Sequence, residues 1–88
     1  FFVYLIKNSA GKLYIGISEN PKRRLETHNQ NQGAKFTKYV PDFKIVFLEQ
    51  YPTLIDARKR EIQIKKWRRK KKEILIDRYK KGLPTKLN

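Results

Sequence analysis

Five side chains in this 88-residue sequence have types and spacings that could do chemistry together: Tyr4, Tyr14, Arg24, His28 and Glu61. Three of them fall in one stretch, Tyr14 to His28. Within it, Asn20 followed by Pro21 predicts a helix from Pro21, because asparagine accepts a hydrogen bond from an orphan amide at a helix start and proline fits the first helical position. Residues four apart on a helix share a face, so Arg24 and His28 lie one above the other and can be turned toward a preceding strand that carries Tyr14. Hydrolysis of a phosphodiester needs an activated water, a cation for the charge that develops on the phosphoryl oxygens, and stabilisation of the departing oxygen. An arginine offers a fixed fork to phosphate. A carboxylate such as that of Glu61 can hold one Mg²⁺ or Mn²⁺ whose other ligands are waters and phosphate oxygens. A phenol with an ordinary pKa of about 10 works as a base near neutral pH only beside positive charge.

The elements that must position these groups are also readable. Phe1 to Lys7 is apolar on both alternating faces, with Val3 and Leu5 on one and Phe2, Tyr4 and Ile6 on the other, which predicts a central strand covered on both sides. Asn8-Ser9-Ala10-Gly11 suits a type I turn closed by a left-handed glycine. A loop of Ser9, Ala10 and Gly11 sets Asn8 opposite Lys12, Ile6 opposite Tyr14 and Tyr4 opposite Gly16, so Tyr4, Tyr14 and Gly16 share a face. A two-residue loop would put the tyrosines on opposite faces. Glycine inside a strand marks either a bulge or room for a large neighbour, here Tyr4.

The helix from Pro21 to about Asn29 has Leu25 as its one strongly apolar residue, so it reads as a helix kept for its polar face. Gln30 to Tyr39 reads as a loop or short helix carrying Lys35 and Lys38, both suited to phosphate contact. A third strand is predicted over Phe43 to Tyr51, with Ile45, Phe47 and Glu49 against Val46 and Leu48. Thr53 and Asp56 form a capping box for a helix from Leu54 to Trp67. On it Leu54, Ala57 and Ile64 face the core with Glu61 among them, and Ile55 and Ile62 flank that stripe. A carboxylate so placed must meet a cation, a donor network or a metal. A break is expected near Arg68 to Lys70, then a last helix through Glu73 to Tyr79 that ends before Gly82 and Pro84.

Lysine and arginine number 22 against 8 acidic residues, a formal charge of +14, and an excess of this size draws a polyanion, nucleic acid first. Lys65, Lys66, Trp67, Arg68, Arg69 and Lys70 interleave an indole with cations, which suits phosphate contact and stacking on a base, although core packing also accounts for Trp67. There is no cysteine and one histidine, so a metal is expected to be bound through oxygen. No apolar run approaches the roughly 20 residues of a membrane span and the start carries no signal-peptide pattern. The reading is a soluble, cytoplasmic protein with nucleic acid, DNA first, as partner and no membrane; oligomeric state stays open. Residues 1–88 read as one α+β domain with a basic helical part over 65–82.

The motifs resemble those of the GIY-YIG nucleases, and within them the small stand-alone group. Tyr14-Ile15-Gly16 repeats half of the name motif literally, and Val3-Tyr4-Leu5 keeps the tyrosine of the other half. Arg24, His28, the segment Gly33-Ala34-Lys35-Phe36-Thr37 and Arg60-Glu61 match in turn. The resemblance implies a small three-stranded antiparallel sheet flanked by helices and a site using one divalent cation, Mg²⁺ or Mn²⁺. By the same resemblance Glu61 is the metal ligand, Arg24 the transition-state stabiliser, Tyr4 and Tyr14 the phenols that position or deprotonate water, and His28 the histidine near the nucleophile. Some members add a late asparagine; no counterpart stands out, Asn88 lying in the tail. The implied activity is metal-dependent endonucleolytic cleavage of DNA, and the alternative is a non-catalytic basic DNA- or RNA-binding module on a degenerate nuclease scaffold.

Overall fold

Apolar on both faces, Phe2–Lys7 (β1) is the middle strand of a three-stranded antiparallel sheet ordered β2-β1-β3, with Leu13–Ser18 (β2) and Lys44–Gln50 (β3) at its edges. Helix α1 (Pro21–Gly33) follows β2, and α2 (Leu54–Lys65) and α3 (Arg69–Lys80) follow β3. The structure, a computed structural model, describes residues 1–33 and 40–87, so Lys35, Lys38 and Asn88 lie outside the described residues. Among those described, no helix is long and apolar enough to cross a membrane.

The hairpin is built as the turn chemistry dictates. Gly11 adopts φ +85°, its amide donates to the Asn8 carbonyl at 3.1 Å, and Asn8 and Lys12 close the loop. Tyr4 consequently faces Gly16 and Ile6 faces Tyr14. Asn8 is itself buried: its Oδ1 accepts from the Lys12 amide at 2.8 Å and its Nδ2 donates to the Val40 carbonyl at 3.1 Å. One side chain thereby satisfies the turn and ties down the approach to β3.

The two faces of β1 bury two cores. Val3 and Leu5 join Phe47, Ala57, Ile64 and Leu75 beneath α2 and α3, while Tyr4 and Ile6 join Phe43, with Leu25 of α1 packed against them. On β3 the predicted alternation fails: Val46 packs with Phe47 in the first core, and Ile45 with Leu48 in the second. The pairing of β1 with β3 shifts between Leu5 and Ile6, and the extra residue that a bulge inserts reverses the side on which residues before it point.

Other boundaries differ from expectation by a turn or less. Helix α1 runs on to Gly33, because Asn29 does not end it but clamps Phe43, accepting from its amide at 3.0 Å and donating to its carbonyl at 3.2 Å. Thr53 caps α2 by accepting from the Asp56 amide at 3.1 Å, yet the helix ends at Lys65, so Trp67 lies in the turn and α3 already begins at Arg69. Leu54, in the first turn of α2, is 43% exposed and not in the core. Gly82, at φ +71°, ends α3 with paired bonds from Gly82 N to Tyr79 O and from Leu83 N to Arg78 O, the Schellman arrangement that glycine permits.

Candidate functional site

The free edge of β2 separates α1 from α2, and a cleft of about 330 Å³ opens there. Its walls include Tyr4, Tyr14 and Gly16 from the hairpin, Arg24 and His28 from α1, and Arg58 and Glu61 from α2. All five side chains singled out for their chemistry thus meet at one place, although Glu61 comes from the opposite side of the sheet from Tyr4.

Gly16 makes room for Tyr4. A β-carbon at Gly16 would lie 2.5 Å from the Tyr4 hydroxyl and 2.7 Å from its Cζ, so of the two readings for this glycine the close approach holds. The Tyr4 ring is buried among Ile6 and Phe43 and has little space to yield. Gly16→Ala is therefore expected to fold with a cost of about 1–3 kcal/mol from overpacking and, on the nuclease activity that the sequence resemblance implies, to lower cleavage about 100-fold because a displacement near 1 Å ruins alignment at a reacting centre. Melting and single-turnover cleavage check the two parts; an unaltered rate in a folded variant would show that the Tyr4 phenol is not needed where it stands.

Arg24 and His28 lie one turn apart on α1, whose start is fixed by Asn20: its Oδ1 accepts from the Arg23 amide at 3.2 Å. His28 sits edge-on to Tyr14, with ring centroids 5.2 Å apart, and edge-on to Phe43 at 4.7 Å. Burial and then the Arg24 charge lower its pKa below the ordinary 6.5, so the imidazole is neutral at physiological pH. The fold gains from this neutral form fully above pH 6.5 and loses it as pH falls through the lowered value. Because the chain has one histidine, its ring resonance can be followed by NMR without assignment. The expected midpoint lies below 6.5 and rises toward it in Arg24→Gln; an unmoved midpoint would show that Arg24 does not act on the imidazole.

Glu61 is 8% exposed at its side chain, and its two oxygens face two cations of the same helix: Arg58 Nη1 at 3.2 Å and Lys65 Nζ at 3.6 Å. Both cations are 56% exposed. Arg58 is a cleft residue that sequence reasoning missed; its place three residues before Glu61 on one helix face was the available signal. The other basic residues expected at a nucleic-acid surface divide. Lys65 pairs with Glu61, and neither Lys66, Trp67 and Arg68 in the α2–α3 turn nor Lys70 in the first turn of α3 lines the cleft. Arg69 is spent on structure, donating to the Gly11 carbonyl at 2.7 Å and pairing with Glu73 at 3.3 Å. Trp67 is partly buried against the first core, with Lys71 Nζ 4.4 Å and Arg60 Cζ 5.5 Å from its ring centroid, and it also lines an open cleft with Arg68, Lys70 and Lys71.

Residues 1–74, which include every residue named in this cleft, match the family model described as the GIY-YIG catalytic domain. The chain belongs to the GIY-YIG family, a family of nucleases that act on nucleic acid. It is similar to UPF0213 proteins: those of Staphylococcus aureus strains Mu3 and COL are 45% identical to it over 75 residues, 85% of this chain and 92% of theirs. The solution NMR structure of a UPF0213 protein from Bacillus halodurans superposes with a TM-score of 0.56 at 30% identity, over 86% of this chain and 81% of that one.

Proposed function

We propose that this protein is a divalent-metal-dependent endonuclease that hydrolyses phosphodiester bonds in DNA. The observation that carries this reading is the convergence of Tyr4, Tyr14, Arg24, His28 and Glu61 on one cleft. Residues 1–88 act as one catalytic domain, and the basic part over 65–82, through Lys65, Lys66, Arg68 and Lys70, adds sequence-independent attraction for the phosphate backbone. Lys35 and Lys38 belong to the same proposed set.

The donor set can be tested against a metal. Among the described residues no group of three or more His, Cys, Asp and Glu could cage an ion. A single carboxylate opening on a cleft fits a hard cation that keeps most of its water, as Mg²⁺ does and Mn²⁺ can. Glu61 would hold it, and once bound it would supply positive charge to the phosphate and acidify a water. The remaining work falls to the chain. Arg24 presents its guanidinium fork to a non-bridging oxygen and takes up charge in the transition state. Tyr4, held by its fit over Gly16, and Tyr14 orient the attacking water. His28, kept neutral, packs edge-on against Tyr14 and helps to position that phenol.

Incubation with supercoiled plasmid in Mg²⁺ or Mn²⁺ is expected to yield nicked and linear forms, and chelation to abolish them. Absence of cleavage in either metal, with single-stranded DNA and RNA as further substrates, would overturn the reading. The ion pairs on Glu61 favour a second one, since a scaffold that binds without cutting would neutralise its carboxylate in this way. It predicts tight, salt-dependent DNA binding with no turnover.

A further inference from the structure

We propose that Arg58 is an exchangeable counter-ion of Glu61, which neutralises the carboxylate until a divalent cation binds and then passes to a substrate phosphate. The proposal rests on the nuclease reading of the cleft. Glu61 is nearly enclosed, while the cations on its two oxygens are more than half exposed. Pairs of this kind, three and four residues apart on a helix, are individually weak and easily exchanged. A divalent cation on the same oxygens would repel both, and the long, solvated side chains would swing away.

The two partners are not equivalent. Arg58 lines the cleft, as Arg24 does, whereas Lys65 does not. A guanidinium displaced from Glu61 therefore stays in the cleft, where its fork suits a phosphate oxygen as that of Arg24 does. Metal binding frees the group that the substrate recruits, and the substrate removes the group that opposes the metal. Such coupling is reciprocal: each ligand raises the affinity of the other by the same factor.

The test is Mn²⁺ titrated alone into the full chain, with free Mn²⁺ read by electron paramagnetic resonance and no DNA present. Arg58→Gln is expected to bind Mn²⁺ about fivefold more tightly than the native chain, a coupling in the ordinary range. Lys59→Gln removes the same charge from a side chain on the other flank of α2, lining a cleft with Tyr51 and Arg60, and is expected to leave the affinity within about twofold. In the second arm a labelled duplex is titrated in Ca²⁺ and in EDTA. Arg58→Gln is expected to weaken binding about fivefold or more in Ca²⁺, and in EDTA by no more than Lys59→Gln does. Equal Mn²⁺ affinities for Arg58→Gln and Lys59→Gln, with binding lost in Glu61→Gln, would overturn the exchange and leave Glu61 as the metal ligand. Native Mn²⁺ binding in Glu61→Gln, or none by the native chain, would overturn the metal reading of the cleft and this proposal with it.

Discussion

Glu61→Gln is expected to lower cleavage by about a thousandfold or more while leaving the fold in place. The amide keeps the shape of the side chain and removes its charge, so a hydrated divalent cation bound as proposed would lose its one carboxylate among the cleft residues. Metal stabilisation of a phosphoryl transition state is worth several kcal/mol, and each 1.36 kcal/mol is tenfold in rate, so a loss near 4 kcal/mol gives about a thousandfold. Stability should change little, because the partners left behind, Arg58 and Lys65, are solvated cations and not buried ones. DNA affinity in EDTA should hold or rise, since a negative charge has left the cleft. Plasmid nicking, thermal melting and duplex binding measured on one preparation separate these effects. Native cleavage by the folded variant would remove Glu61 from the mechanism.

Arg60→Ala is expected to have the largest effect on stability. Arg60 is 6% exposed and spends its guanidinium on three partners: Nε donates to Glu49 Oε1 at 2.8 Å, Nη1 to Gln63 Oε1 at 2.7 Å and Nη2 to the Thr85 carbonyl at 2.7 Å. Glu49 also accepts from the Tyr51 hydroxyl at 2.6 Å and from Thr85 Oγ1 at 2.9 Å. The network binds β3, α2 and the segment after α3 into one unit. Truncating the arginine strands a largely buried carboxylate, which typically costs about 3–5 kcal/mol, and in a chain of this size the melting temperature should fall by roughly 15 °C or more. A fall of only a few degrees would show that Tyr51 and Thr85 suffice for Glu49.

The same network sets an acid limit. Burial alone pushes the Glu49 carboxyl up, but the hydrogen bonds from Tyr51, Thr85 and Arg60, with the Arg60 charge, together hold it below its ordinary 4.5. The folded chain thus keeps this group ionised where the unfolded chain has begun to protonate it. The stabilisation is whole above pH 4.5 and drains as pH falls through the lowered value. Tyr51 moves the other way: burial and its bond to Glu49 raise the phenol above its ordinary 10, so it remains a donor at every pH of interest.

Local rules made much of this chain legible. Antiparallel pairing keeps a constant index sum, so one turn, Asn8 to Gly11, placed Tyr4, Tyr14 and Gly16 on a common face. Asn20-Pro21 and Thr53 with Asp56 marked helix starts because capping is a contact between near neighbours in sequence. Helical periodicity put Glu61 among buried residues. Each of these depends on interactions spanning a few residues.

What escaped the sequence depends on groups far apart in it. That Glu61 and Tyr4 share one cleft was implied by the family resemblance and not by spacing, because it depends on how α2 packs against the hairpin, which periodicity does not specify. Arg60 is buried by partners 11 and 25 residues away, Glu49 and Thr85, which no local pattern brings to it. Arg69 read as part of a phosphate-binding run, yet the Gly11 carbonyl, 58 residues away, claims it. The alternation of β3 failed because its bulge is set by pairing with β1 and not by its own residues. The sequence by itself determined the chemical inventory, the register of the hairpin and the faces of the helices. The tertiary structure alone decided which charges are paired, which are buried and which share the cleft, because long-range contacts choose among the many partners that one pattern of cations allows.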